Sequence, residues 1–335
     1  MPDSQTFVSI TEEGLRQMLL RIPNMFEIVR LPLKQPLGEN PTAAFNAWTE
    51  FLGKCQQLER SVYEQQHKGT PFYWLGTAAF LSHDYQTAAF FYDAAVSEDI
   101  RAGANPADSS TPALKFMYIK GAEPDQAAGS LVQRTESEIE KAIKSYNGRE
   151  GRPQNVPALQ LNDIRTKFIS HVLSSGNEHL RTLATAFISF LLEWGHRSTL
   201  ADLAIGKGTL EPFFIHLFKG CLLFESLQKN SPVYAKLQNN KNIREKATIG
   251  ELACELKPAL GNIPTKKDFT ANWEKVLSFL KSCNDSLDSS YQLTAKMRNA
   301  LGHNLGWENR MNARQYNDLA SHVTASCLHA IACLY

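Results

Sequence analysis

The chain has 335 residues, 43% of them hydrophobic and 21% charged, with 35 Lys and Arg against 34 Asp and Glu. Its 19 Gly and 15 Pro are ordinary numbers, which excludes collagen-like and low-complexity disordered classes, and the length suits two or three domains with sizeable cores. No apolar run approaches the roughly 20 residues of a membrane span, and the opening MPDSQTFVSITEEGL lacks the basic flank and apolar stretch of a secretory leader. Six Cys are scattered without a CxxC, which fits buried free thiols in a reducing compartment, so a cytoplasmic protein is expected. Charge is uneven. Residues 208–335 hold 15 Lys and Arg against 11 Asp and Glu, a net of +4, leaving the preceding part at −3. A mildly basic C-terminal half permits nucleic-acid contact without requiring it.

In chain order, the pattern is helical nearly throughout. Ser9-Ile-Thr-Glu12 reads as a capping box, after which Leu15, Met18, Leu19 and Ile22 recur at helical spacing up to Pro23. Pro41 opens a helix whose stripe is Phe45, Trp48, Leu52, Cys55 and Leu58, with Gly69-Thr70-Pro71 as its terminator. Over 72–100, Leu75-Gly76 and Ala79 fall where a first helix needs small groups for close packing, and Tyr85, Ala88, Tyr92 and Ala95 fall on a second, with Ala88 where the two approach. A loop from Gly103 to Pro112 precedes helices near 113–120 and 124–146. The stretch 147–157, NGREGRPQNVP, combines two Gly, two Pro and three charges, reads as a segment no core uses, and marks the main boundary. Helices follow over about 158–174 and 177–194, then a GKGT turn, an apolar helix at 210–229, a short helix at 248–257, a long one over 267–301 and a last one at 313–334. Runs that signal strands are almost absent. The domains expected are therefore 1–147, a connecting helical segment 158–205, and 208–335, in an all-α fold.

Enzymatic signatures are scarce. There is no GxxxxGK[ST], GxGxxG, GxSxG or HExxH. The nine His do not fall at metal-ligand spacing, and of His322 and His329, seven apart on the last helix, one is expected to be partly exposed. No metal or cofactor is expected. One site stands out at the end of the long helix: Lys296-Met-Arg298-Asn299-Ala-Leu-Gly302-His303-Asn304-Leu-Gly-Trp307. Composition alone would supply about 0.02 matches to Arg-Asn followed by three residues and His. On a continuous helix Arg298 and His303 lie about 140° apart, and Gly302 is expected to break the helix and return His303 to the Arg298 side. An Arg fork suits the charge of a phosphorane, and a His titrating near neutrality suits proton transfer at the 2′-hydroxyl or the leaving 5′-oxygen. Asn299 and Asn304 are expected to hold the imidazole. Trp307 reads as core or as a base-stacking platform, and Arg310 and Arg314 as RNA contacts. The bland alternative has Arg298 pairing with Asp285 or Asp288 and His303 interacting with a helix C-terminus.

These residues, with the long helix before them and one apolar helix after, resemble the HEPN superfamily, and the resemblance covers residues 208–335. The helix pair at 72–100 resembles a tetratricopeptide repeat, although Ile100 stands where that pattern has Pro and no second copy follows. The HEPN resemblance implies a metal-independent endoribonuclease with catalytic Arg298, Asn299 and His303, and nearness to that site makes Asn304, Trp307, Arg310 and Arg314 the expected RNA contacts. It implies a homodimer through the C-terminal domain that pairs two motifs in one composite site. It also implies a prokaryotic role in antiviral defence, in a toxin–antitoxin pair or as a CRISPR-associated effector, with the N-terminal helices taking a regulatory protein partner and no role at a membrane. The alternative is a non-catalytic HEPN and helical-repeat scaffold for protein or nucleic-acid interaction.

Overall fold

Side-chain caps set most helix starts. The computed structural model describes residues 11–28, 37, 39–120, 126–241, 248–261, 269, 272–303 and 310–335. It is 79% helical with no strand among the described residues, so the fold is all-α. No helix among those residues is long and apolar enough to cross a membrane. The chain divides into two compact units, Met1–Arg134 and Thr135–Tyr335. The division falls inside a helix, ahead of the 147–157 stretch expected to separate them.

The first unit holds α1 (Glu12–Arg21), α2 (Met25–Ile28), α3 (Pro41–Leu58), α4 (Arg60–Gln65), α5 (Gly69–Leu81), α6 (Tyr85–Arg101), α7 (Pro112–Met117) and the start of α8 (Gln126–Asn147). Thr11, rather than Ser9, caps α1 by accepting from the Gly14 amide at 3.1 Å, while Asn40 caps α3 and Asp84 caps α6. Ser9 lies outside the described residues. Trp48, Leu52 and Cys55 are buried as the α3 stripe requires, in a core with Leu15, Leu19, Phe26 and Leu75. Gly69 does not terminate α3, which stops at Leu58; it starts α5. A Cβ there would lie 2.5 Å from Asp99 Oδ1 and 2.6 Å from the His67 ring, so any other residue forces those two side chains to move. Helices α5 and α6 form a hairpin with Tyr85, Ala88, Tyr92 and Ala95 all buried. Close approach is visible at Gly76, where a Cβ would sit 3.0 Å from the Tyr92 ring and 3.2 Å from the Ala88 carbonyl oxygen.

The second unit continues α8 and adds α9 (Leu161–Asp163), a π-helical turn (Ile164–Ile169), α10 (Ser170–Ser174), α11 (Glu178–Ala204), α12 (Glu211–Lys229), α13 (Pro232–Lys241), α14 (Ile249–Leu260), α15 (Trp273–Ser282), α16 (Leu287–His303) and α17 (Ala313–Leu334). Helix α17 is the hub, packing against α11, α12, α14, α15, α16 and the π-helical turn. Its residues from Val323 to Ile331 are buried without interruption. The one long helix expected over 267–301 is two, α15 and α16, with a break at 283–286. There the Glu150 carbonyl accepts the Leu287 amide at 2.8 Å, and the Ser286 hydroxyl accepts the Ser289 amide at 3.1 Å. A backbone bond from a distant segment thus starts α16 at Leu287. The 147–157 stretch, expected to lie outside any core, therefore supplies a structural partner, and its Arg149 is buried.

Candidate active site

Helix α16 carries the Arg298-Asn299 pair near its C-terminal end. Its inner face, including Tyr291, Thr294, Met297 and Leu301, is buried, and this sets the rotation of the helix. Arg298 projects toward α12, where its Nε donates to Glu225 Oε2 at 2.7 Å, with the arginine side chain 30% exposed. Glu225 is buried and also accepts from Lys229 Nζ at 2.6 Å. Burial works against its charge, but Lys229 and Arg298 together outweigh that and hold its pKa below the usual carboxylate range. The expected alternatives Asp285 and Asp288 do not pair with Arg298. Asp288 lies ten residues earlier, about 15 Å back along the helix axis.

Gly302 does not break α16, which runs through His303. A Cβ at 302 would lie 3.0 Å from Arg298 Nη1 and 3.7 Å from Phe218 Cε2. The glycine thus leaves room for the guanidinium one turn earlier instead of redirecting the chain. Helical spacing then places position 303 about 140° from 298 but only about 40° from 299. Asn299 donates from Nδ2 to the Phe269 carbonyl at 2.9 Å, so its amide ties the helix to the preceding segment. Asn304 and Trp307 lie outside the described residues. Arg310 is exposed, and its carbonyl accepts from Trp273 Nε1 at 3.2 Å. Arg314 is exposed at the start of α17, 3.7 Å from Asp318. The described residues therefore join Arg298 to Glu225 and Asn299 to Phe269, and they place Arg314 elsewhere.

Arg314 instead lines a cavity of about 1030 Å³ at the N-terminal ends of α16 and α17. Its floor is Arg149, which sequence reasoning missed. Arg149 Nη1 lies 3.0 Å from Asp285 Oδ1, 3.1 Å from Ser290 Oγ and 3.1 Å from His322 Nδ1, while Nη2 donates to Ser321 Oγ at 2.8 Å. Burial, reinforced by the Arg149 charge and only partly offset by Asp285, pushes the His322 pKa down to about 4. The imidazole is therefore neutral near pH 7. Two other histidines are also buried: His216, between the Phe190 carbonyl and the Tyr316 hydroxyl at 2.9 Å each, and His329, between the Leu260 carbonyl at 2.9 Å and the Tyr146 hydroxyl at 3.2 Å. Neither His322 nor His329 is the partly exposed residue expected from sequence; both sit inside the α17 hub. The thiols divide, with Cys55, Cys221 and Cys327 buried, Cys283 and Cys333 half-buried and Cys254 exposed. Comparison with protein-family models, curated proteins and solved structures finds no match to the chain.

Proposed function

We propose that the Thr135–Tyr335 unit is a metal-independent endoribonuclease of the HEPN type, acting as a homodimer. The observation that carries this reading is the placement of Arg298. Its Nε is held by a buried carboxylate while the side chain as a whole stays 30% exposed, near the end of the helix that carries His303. An arginine fixed on one side keeps free N–H groups for a phosphorane, and little reorganisation is then needed as charge develops. In the reaction, His303 removes the 2′-hydroxyl proton, that oxygen attacks the adjacent phosphorus, and the 5′-oxygen leaves with a proton from the partner's histidine. The products are a 2′,3′-cyclic phosphate and a 5′-hydroxyl. Asn299 acts as a positioning residue through its bond to Phe269.

The dimer reading rests on α12. Ile215 and Leu222 remain 46% and 40% exposed on one stripe of that helix, with half-buried Phe218 between them. Phe218 also borders Gly302, so a two-fold contact along this stripe brings two copies of the Arg298 region together. Continuous α16 leaves positions 298 and 303 about 140° apart in one chain, which favours a site completed by a second chain. RNA is the substrate in this reading, and the setting is prokaryotic defence or a toxin–antitoxin pair, with the N-terminal unit taking a regulatory partner.

The experiment is cleavage of labelled single-stranded RNA in the presence of chelator. Wild type is expected to cut and leave cyclic phosphate ends, and His303→Ala to lose at least about 100-fold in rate with its melting temperature unchanged. Full activity in that variant would sink the reading. A second reading has its own observation: the Arg298–Glu225 bond joins α16 to α12, as a purely structural tie would. On that reading the unit is a non-catalytic scaffold, and the wild-type chain never cuts.

A further inference from the structure

We infer that the cavity floored by Arg149 binds a small ligand bearing two or more phosphate groups, a nucleoside polyphosphate or an inorganic polyphosphate. This stands apart from the Arg298 motif, which lies at the other end of α16. Leu287 and Arg298 are separated by about 17 Å along the helix.

The first argument is charge. Lys144, Arg149, Lys281 and Arg314 line the cavity against Asp285 and Asp318. Lys144 and Lys281 are exposed and make no ion pair with any described residue, so two cations at the rim remain available. The second argument is depth. The Arg149 side chain is only 5% exposed, yet Asp285, the carboxylate within ion-pair distance among the described residues, is 85% exposed, and Asp318, whose charge also acts on Arg149, is exposed too. A cation so placed is incompletely neutralised, since a solvated carboxylate screens it weakly. Four partners fix its Nη atoms, but Nε is buried without an acceptor. That atom is closed to solvent, so what Arg149 offers the cavity is its under-balanced charge, which an anion entering there offsets.

Two further donors converge. The bond from Arg149 makes His322 Nδ1 an acceptor, which assigns the ring proton to Nε2. That atom lies 3.9 Å from the exposed Asp285 carboxylate, so it faces the open side. Asn312 and Gln315 also line the cavity, which puts the positive end of the 22-residue α17 beside it.

The lining selects the ligand class. Leu280 is the largest apolar side chain there and no Phe, Tyr or Trp ring lines it, so the wall offers donors for phosphates but no broad stacking surface for a base. The volume is ample for a nucleotide and does not demand a polymer.

Isothermal titration of the full chain with pyrophosphate, ATP and adenosine tests this at fixed ionic strength. Pyrophosphate and ATP are expected to bind saturably, and adenosine is not. Tighter binding of ATP than of tripolyphosphate points to a nucleotide, and equal binding to a free polyphosphate. The rim variant Lys144→Glu/Lys281→Glu changes only exposed positions, so it keeps the wild-type melting temperature while its affinity falls at least tenfold. Absence of saturable binding by pyrophosphate and ATP, or an unchanged affinity in the rim variant, overturns the inference. So does an RNA oligonucleotide that binds through Lys144 and Lys281 when pyrophosphate does not, because the surface then serves a polymer backbone.

Discussion

At the scale of single residues, Arg298 is asked to do two things, and chemistry separates them. Its Nε bond to buried Glu225 is structural, and its remaining N–H groups are the ones a phosphorane would use. Arg298→Ala leaves Glu225 with Lys229 as its remaining cation, which is expected to cost about 1–3 kcal/mol in urea denaturation. Arg298→Lys keeps a charge near the carboxylate but loses the planar fork, so it should recover most of that stability. If the ribonuclease reading holds, cleavage by Arg298→Lys stays reduced by at least about 100-fold, because a point charge does not replace two parallel donors. Recovery of stability and activity together would instead place Arg298 in the scaffold alone. Adjacency made Arg298 and Asn299 visible in the sequence, but their partners were not. Glu225 is 73 residues away and Phe269 is 30 away, and only the packing of α12 and the 269 segment against α16 brings them in. Arg149 was harder still. Flanking Gly148 and Glu150 with Gly151 read as a loop, and nothing local signals that Asp285, Ser290, Ser321 and His322 converge on it.

Elements were read well where the stop or start is local and poorly where it is tertiary. The Pro41 start, the turn at Gly206 with φ +85°, and the Gly176-Asn177 junction with φ +68° followed by an Asn cap all carry their signal in two or three residues. The break between α15 and α16 has no Gly or Pro, and it depends on the Glu150 carbonyl and on Arg149 binding Asp285 and Ser290. The π-helical turn is equally tertiary: it seats Phe168 against Phe187 and Tyr335, with ring centroids 5.8 and 5.2 Å apart. Small residues at helix crossings were legible at Gly76 but overlooked at Gly220 on α12. A Cβ at Gly220 would lie 2.5 Å from Phe190 Cε2, 2.6 Å from Phe190 Cζ and 2.6 Å from Val323 Cγ1. These atoms belong to α11 and α17, so the glycine sets how closely three helices meet. Gly220→Ala is expected to destabilise the second unit by about 1–3 kcal/mol despite its better helix propensity, because the Phe190 ring stacked on His216 at 4.4 Å must move. Urea unfolding followed by near-ultraviolet circular dichroism measures this; a stabilised variant would show that the crossing has slack.

For the molecule as a whole, the distribution of histidines predicts that acid acts on one unit before the other. Burial drives the pKa of His216 down to about 3 and that of His322 down to about 4, and it lowers His329 as well; all three lie in Thr135–Tyr335. In an unfolded chain a histidine takes up its proton near pH 6.5. Between that value and pH 4 the unfolded state therefore binds more protons than the folded one, so stability is complete above about pH 6.5 and drains away as pH falls. For His322 the shift corresponds to about 3 kcal/mol and for His216 to about 5 kcal/mol. No histidine among the described residues of the first unit is fully buried. His67 lies between Glu27 at 3.0 Å and Asp99 at 3.2 Å, and His83 is exposed. Burial pushes the Asp99 carboxyl up, and a raised carboxyl favours the folded state as pH falls. Amide hydrogen exchange at pH 7 and at pH 4.8 should thus show protection factors falling steeply across α11, α12, α16 and α17. The α5–α6 hairpin should keep its protection over the same interval. Equal loss in both units, or a first unit that opens before the second, would mean that the buried imidazoles do not control acid unfolding.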